Sequence, residues 1–124
     1  MTRVVINNGI STVTKDLPKL TRQKGRYRTV SAANVIVRES DIGGTIGCDS
    51  AVPVTVTIPL GLAASIKDII EIHQTGAGAV TIAGASGVTV QSRGAALTTA
   101  GQFAIAGIKQ VAENVYRVTG DVTA

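Results

Sequence analysis

An all-β fold is predicted: a compact β-sandwich or barrel-like domain of short antiparallel strands, carrying an extended N-terminal arm. Three observations predict it. Short runs of Val, Ile and Thr recur along the chain, most clearly "VTVTI" at 54–58, "VTI" at 80–82 and "VTV" at 88–90. Gly, Ser and Asp separate these runs at short intervals, the punctuation expected between strands. The 44% hydrophobic content is aliphatic, with only three aromatic rings, Tyr27, Phe103 and Tyr116, in 124 residues. That length suits one domain with a modest core.

Residues 1–28 read as the arm and 29–124 as the β domain. The arm has an apolar patch at "RVVIN", where a short strand is expected at Val4 to Asn7, and then a polar stretch interrupted by Pro18 and Gly25. From Tyr27 the pattern turns to β-runs, with strands expected at Tyr27 to Ser31, Val35 to Arg38 and Thr45 to Cys48. In "AVPVTVTIPL" Val54, Val56 and Ile58 share one face and Thr55 and Thr57 the other. Pro53 and Pro59 place this strand at a sheet edge or limit its pairing at both ends. "GLAASIKDIIEIHQTG" suggests a loop or helical turn at Gly61 to Ser65 followed by a strand at Ile66 to Gln74, because β-branched residues alternate there. Val80 to Ile82 and Val88 to Val90, offset by eight residues, fit either a hairpin or one rung of a small β-helix. An apolar run from Phe103 to Ala112 and "VYRVTG" at 115–120 fit a closing hairpin, with Glu113-Asn114 as its turn.

Charge is distributed unevenly. Residues 1–28 hold seven basic groups (Arg3, Lys15, Lys19, Arg22, Lys24, Arg26 and Arg28) and one acid, Asp16, a net of 7 − 1 = +6. The other 96 residues hold five basic and seven acidic groups, a net of 5 − 7 = −2. The basic cluster, with Tyr27 beside it, is therefore the candidate partner-binding region. A nucleic acid would be held there through phosphate neutralisation, but one ring is a thin stacking platform. An acidic protein surface is the favoured partner.

Chemistry is sparse elsewhere. Gly76-Ala77-Gly78 follows an expected strand, as a dinucleotide-binding fingerprint would, but position 81 is Thr and the next element reads as a strand. The helix N-terminus that meets a pyrophosphate is therefore missing, and no G-K-[ST] tripeptide occurs. These glycines read as tight turns between closely packed strands. The single cysteine, Cys48, cannot form an internal disulfide or a thiolate zinc cluster and reads as a small apolar residue. Cys48, His73 and Asp68 could be written as a catalytic set, but Asp68 and His73 would point to opposite faces of one strand. No catalytic residue, metal site or cofactor is expected. No apolar run approaches a transmembrane span, and the N-terminus lacks a signal-peptide core, so use without secretion is the expectation. A thin aliphatic core also suggests self-association, since buried area at an interface adds to its stability.

The combination of "VTVTIP" at 54–59, "IEIHQTGAGAVTI" at 70–82, "GVTVQS" at 87–92, "GQF" at 101–103 and "VTGD" at 118–121 resembles a small β domain recurrent in structural proteins of tailed bacteriophages. The likeness spans about residues 40–121 and leaves the arm uncovered. It departs at Phe103, where a Tyr is common, at Tyr116, where a Trp is common, and in the longer "GLAASIKD" connection. The resemblance implies a non-enzymatic virion protein, assembled in the host cytoplasm, and a free-standing chain of this size suggests a capsid decoration or cement protein. On that reading it is a homotrimer whose arm engages the major capsid protein through Arg3, Lys15, Lys19, Arg22, Lys24, Arg26, Tyr27 and Arg28. The alternative is a small tail, baseplate or fibre module that binds another virion protein or a host receptor.

Overall fold

The computed structural model describes residues 26–62 and 68–124. Within them the strands are β1 (Tyr27–Val30), β2 (Asn34–Ile36), β3 (Thr45–Cys48), β4 (Val54–Ile58), β5 (Ile69–Gln74), β6 (Val80–Gly84), β7 (Thr89–Ser92), β8 (Thr98–Thr99), β9 (Ile105–Ala112), β10 (Val115–Gly120) and β11 (Val122–Thr123). The two helical segments among the described residues are single 3₁₀ turns at Glu39–Asp41 and Arg93–Ala95. The all-β fold expected from sequence is the fold observed.

The strands form two sheets, ordered β1-β3-β5-β9-β10-β7 and β11-β8-β6-β4-β2. From β1 to β6 the chain alternates strictly between them, so each of β1 to β4 pairs with the strand two places later. The expectation of antiparallel pairing is therefore corrected for much of the fold. β1 with β3, β3 with β5, β2 with β4, β4 with β6 and β7 with β10 are all parallel. Antiparallel pairing joins β5 to β9, β9 to β10, β6 to β8 and β8 to β11. The physical reason lies in the connections: segments 31–33, 49–53 and 75–79 cross the roughly 10 Å between facing sheets instead of reversing within one. Parallel partners normally need a long crossover, and here the strand of the opposite sheet supplies it.

The result is a flattened coil. Thr45 lies opposite Glu71, Val54 opposite Val80 and Thr89 opposite Val115. Each pair is 26 residues apart (71 − 45, 80 − 54 and 115 − 89). The kernels at 80–82 and 88–90 are not a hairpin, because β6 and β7 belong to different sheets. β4 lies inside its sheet and not at an edge, and its two prolines fall just outside the strand. The closing hairpin forms as expected, with Asn114 at φ 57 and a register shift after Val115. The expected helical turn and the start of the expected strand, at 63–67, lie outside the described residues.

Aliphatic side chains from both sheets meet between them. Val54, Val56 and Ile58 point inward as their alternation requires, against Ile46, Ile72 and Ile108 of the other sheet. One polar bridge crosses this core. The Thr99 hydroxyl donates to Gln74 Oε1 and accepts the Val80 amide at 2.8 Å, while Gln74 Nε2 donates to the carbonyls of Gly76 and Ala77. Because Gln74 and Thr99 are both nearly fully buried, satisfying these groups fixes how the sheets are registered.

Candidate partner-binding surface

Of the residues singled out by charge, Arg3, Lys15, Lys19, Arg22 and Lys24 lie outside the described residues. Arg26, Tyr27 and Arg28 open the described chain, and the latter two belong to β1, the outermost strand of its sheet among the described residues. The alternation of β1 sends Tyr27 and Arg28 to opposite faces.

Arg28 turns inward. Its Nε donates to Asp41 Oδ1 at 3.0 Å, and its Nη2 donates to Asp41 Oδ2 at 2.8 Å and to the Ile36 carbonyl at 3.1 Å. Asp41, only 3% exposed, also accepts the Arg38 amide at 2.8 Å. Two forks thus meet in a bidentate pair that closes the end of the core. What Arg28 presents is an internal clamp between β1, β2 and the 3₁₀ turn.

Tyr27 turns outward and is 54% exposed. Its ring lies over Gly47 of β3 and meets the His73 imidazole of β5 edge to face, with centroids 5.7 Å apart and planes at 77°. His73 Nε2 in turn lies 3.1 Å from Glu71 Oε1. Three adjacent strands are tied on this outer face, and one of the chain's three aromatic rings covers the space left by Gly47.

Beside the clamp, Arg28, Val30, Ser31, Ala32, Asn34–Ile36 and Arg38 line an open cleft of about 420 Å³. It sits beside β1 and β2, the terminal strands of their sheets among the described residues. Arg28, already paired with Asp41, and Arg38 line it, and Ile36 stands 58% exposed beside it.

Sequence reasoning overlooked one exposed aromatic. Phe103 lies in a turn before β9, 76% exposed, with φ 72. A bulky side chain in the left-handed region is uncommon and costs backbone strain. The turn is held by the Phe103 amide on the Gln74 carbonyl and the Ala104 amide on the Gly101 carbonyl. The small residues around "AGQ" were the available signal, and the apolar run that follows concealed it.

The other chemically suggestive residues are dispersed. Cys48 faces the core and is fully buried, whereas His73, opposite Gly47, faces outward. Burial pushes the Cys48 thiol up to about 11, a rise that the nearby Arg28 cation only partly offsets. Among the described residues no group of three or more His, Cys, Asp or Glu could hold a metal ion. Among them, too, no helix is long and apolar enough to cross a membrane. The Gly76 and Gly78 turn packs on the turn of the preceding coil: Gly76 N–H donates to the Cys48 carbonyl at 3.1 Å and Gly78 N–H to the Ser50 carbonyl at 2.8 Å. Its amides are used by backbone, not offered to a phosphate.

The described residues thus define a two-sheet, coiled β body whose first strand is clamped by the Arg28–Asp41 pair. No family model matches the chain, and neither a curated protein nor a solved structure matches it.

Proposed function

We propose that the protein is a non-enzymatic structural component of a phage virion, a capsid decoration protein that binds the major capsid shell through its basic N-terminal region. One observation carries the reading: a net of +6 in residues 1–28 against −2 in the remainder. Such segregation suits a body that stays uncommitted while one end seeks an acidic surface. The motif resemblance supports the virion setting. Association into a homotrimer belongs to the same proposal, and its physical motive is the small aliphatic core.

A second reading, a tail, baseplate or fibre module, is favoured by Phe103, an exposed aromatic held in place by a fixed turn. Exposed aromatics carried on a fixed backbone anchor contacts at interfaces. Quantitative mass spectrometry of purified particles separates the two. Copy numbers on the order of hundreds, as multivalent coverage of a shell requires, support decoration, and a handful per particle transfers the protein to the tail.

A further inference from the structure

We infer that the outward face of β5, β9 and β10 is the surface through which copies of the chain associate, Glu71 of one copy meeting Lys109 and Arg117 of the next. The inference rests on the homotrimer reading above and names the contact that builds it. Strand register lays this face out in rows. Ile69, Lys109, Arg117 and Gln91 form one row across β5, β9, β10 and β7, and Glu71, Gly107 and Thr119 form the next. The acid therefore stands toward one side of the face, on β5, and the bases toward the other, on β9 and β10. Ile69 and Ile105, each about half exposed, lie on either side of Gly107.

Three features of this face have no explanation within one chain. Lys109 and Arg117 are direct cross-strand neighbours, an arrangement of like charges that destabilises a sheet. Both are exposed; Arg117 donates to Gln91 Oε1 at 3.1 Å, and among the described residues neither is salt-bridged. Glu71 Oε1 holds the carboxylate's contacts among the described residues, with His73 at 3.1 Å and Thr45 at 3.5 Å, so Oε2 is left to accept from outside. Gly107 sits inside β9 without a positive φ, and a β-carbon there would meet only Ile69 Cγ2 and Thr119 Cγ2, at an ordinary 3.7 Å. Neither backbone nor packing within the chain calls for glycine, which weakens a strand interior and marks the close approach of another backbone.

A second copy answers all three. The face carries both signs, so a partner of one sign would leave either Glu71 or the basic pair unmatched, whereas an identical chain brings the complement of each. Because acid and bases lie toward opposite sides, the complementarity runs head to tail, the kind that rotation about a threefold axis closes into a ring. With β9 turned toward that axis, Gly107 lets the sheets draw together. The second sheet offers nothing to set such a register: its outward Thr55, Thr57, Thr81, Ala83 and Thr98 are uncharged.

Sedimentation equilibrium of the full-length protein tests the contact. The natural chain is expected to be a trimer, and Glu71→Lys and the double variant Lys109→Glu/Arg117→Glu are each expected to raise its dissociation concentration at least about tenfold. Combining the three substitutions in one chain exchanges the two sides of the face and should restore the trimer. Should a charge variant fail to fold, as judged by circular dichroism, Gly107→Val gives the comparison, because its side chain stands on the outer face and blocks the approach of a second copy. A natural chain that is not trimeric overturns the homotrimer and this contact together. A natural trimer unmoved by the charge reversals and by Gly107→Val overturns the contact alone and leaves the homotrimer standing.

Discussion

Tyr27 and Gly47 are complementary: the ring of one fills the space that a β-carbon on the other would require. Gly47 is buried although it lies on the outward face of β3, and Tyr27 is what buries it. Gly47→Ala should therefore expel the ring, break its contact with His73 and loosen β1. The expected loss is about 1–3 kcal/mol, as for overpacking of a closed site. Urea denaturation checks the magnitude. Pairing Gly47→Ala with Tyr27→Ala should recover part of the loss, because the clash and its partner are removed together.

The Arg28–Asp41 clamp makes a sharper prediction. Asp41→Ala leaves an inward-facing guanidinium without its carboxylate and the Arg38 amide without its acceptor. Removing one member of a buried pair costs about 3 kcal/mol. Thermal unfolding should show it, and Arg28→Ala should not add its full cost on top, since the two residues act as one unit.

Gly78 tests the stacking of turns. A β-carbon there would collide with the Val52 carbonyl, and one at Gly76 would meet the Ser50 backbone. Backbone cannot yield as a side chain can, so Gly78→Ala is expected to cost about 3 kcal/mol or more. Gly101, with open space around its α-carbon, is the control: Gly101→Ala should change stability by less than about 0.5 kcal/mol.

These residues also mark what the sequence could reveal. The alternation in "VTVTI" announced β4 and its buried face, and Glu113-Asn114 announced the last hairpin. Parallel pairing was not legible, because a period of two specifies which face is buried but not which strand lies alongside. The three-to-five-residue connections looked like hairpin turns although they cross between sheets. Arg28 counted with the arm's charges because its partner, Asp41, lies thirteen residues away across a turn. Strands as short as β8 and β11, two residues each, carry too little pattern to stand out.

Cys48 supplies a pH prediction. Its thiol is raised by burial from the ordinary 9.0 to about 11. The folded state therefore holds its proton more tightly than the unfolded chain does. The corresponding stability is complete below about pH 9 and is lost as pH rises toward 11. Denaturant midpoints measured from pH 8 to 11 should fall across that window, and Cys48→Ala should flatten this part of the profile. At pH 8 the folded protein should resist a thiol reagent that labels the unfolded chain readily.

Binding to purified phage heads that lack the protein tests the proposed role most directly, comparing the natural chain with one in which Lys15, Lys19, Arg22 and Lys24 are all changed to Glu. The natural chain is expected to bind in many copies, and the charge-reversed chain to bind at least about tenfold more weakly while remaining folded. Equal binding by the two chains, or no binding to heads by the natural one, would contradict decoration through the basic N-terminal region.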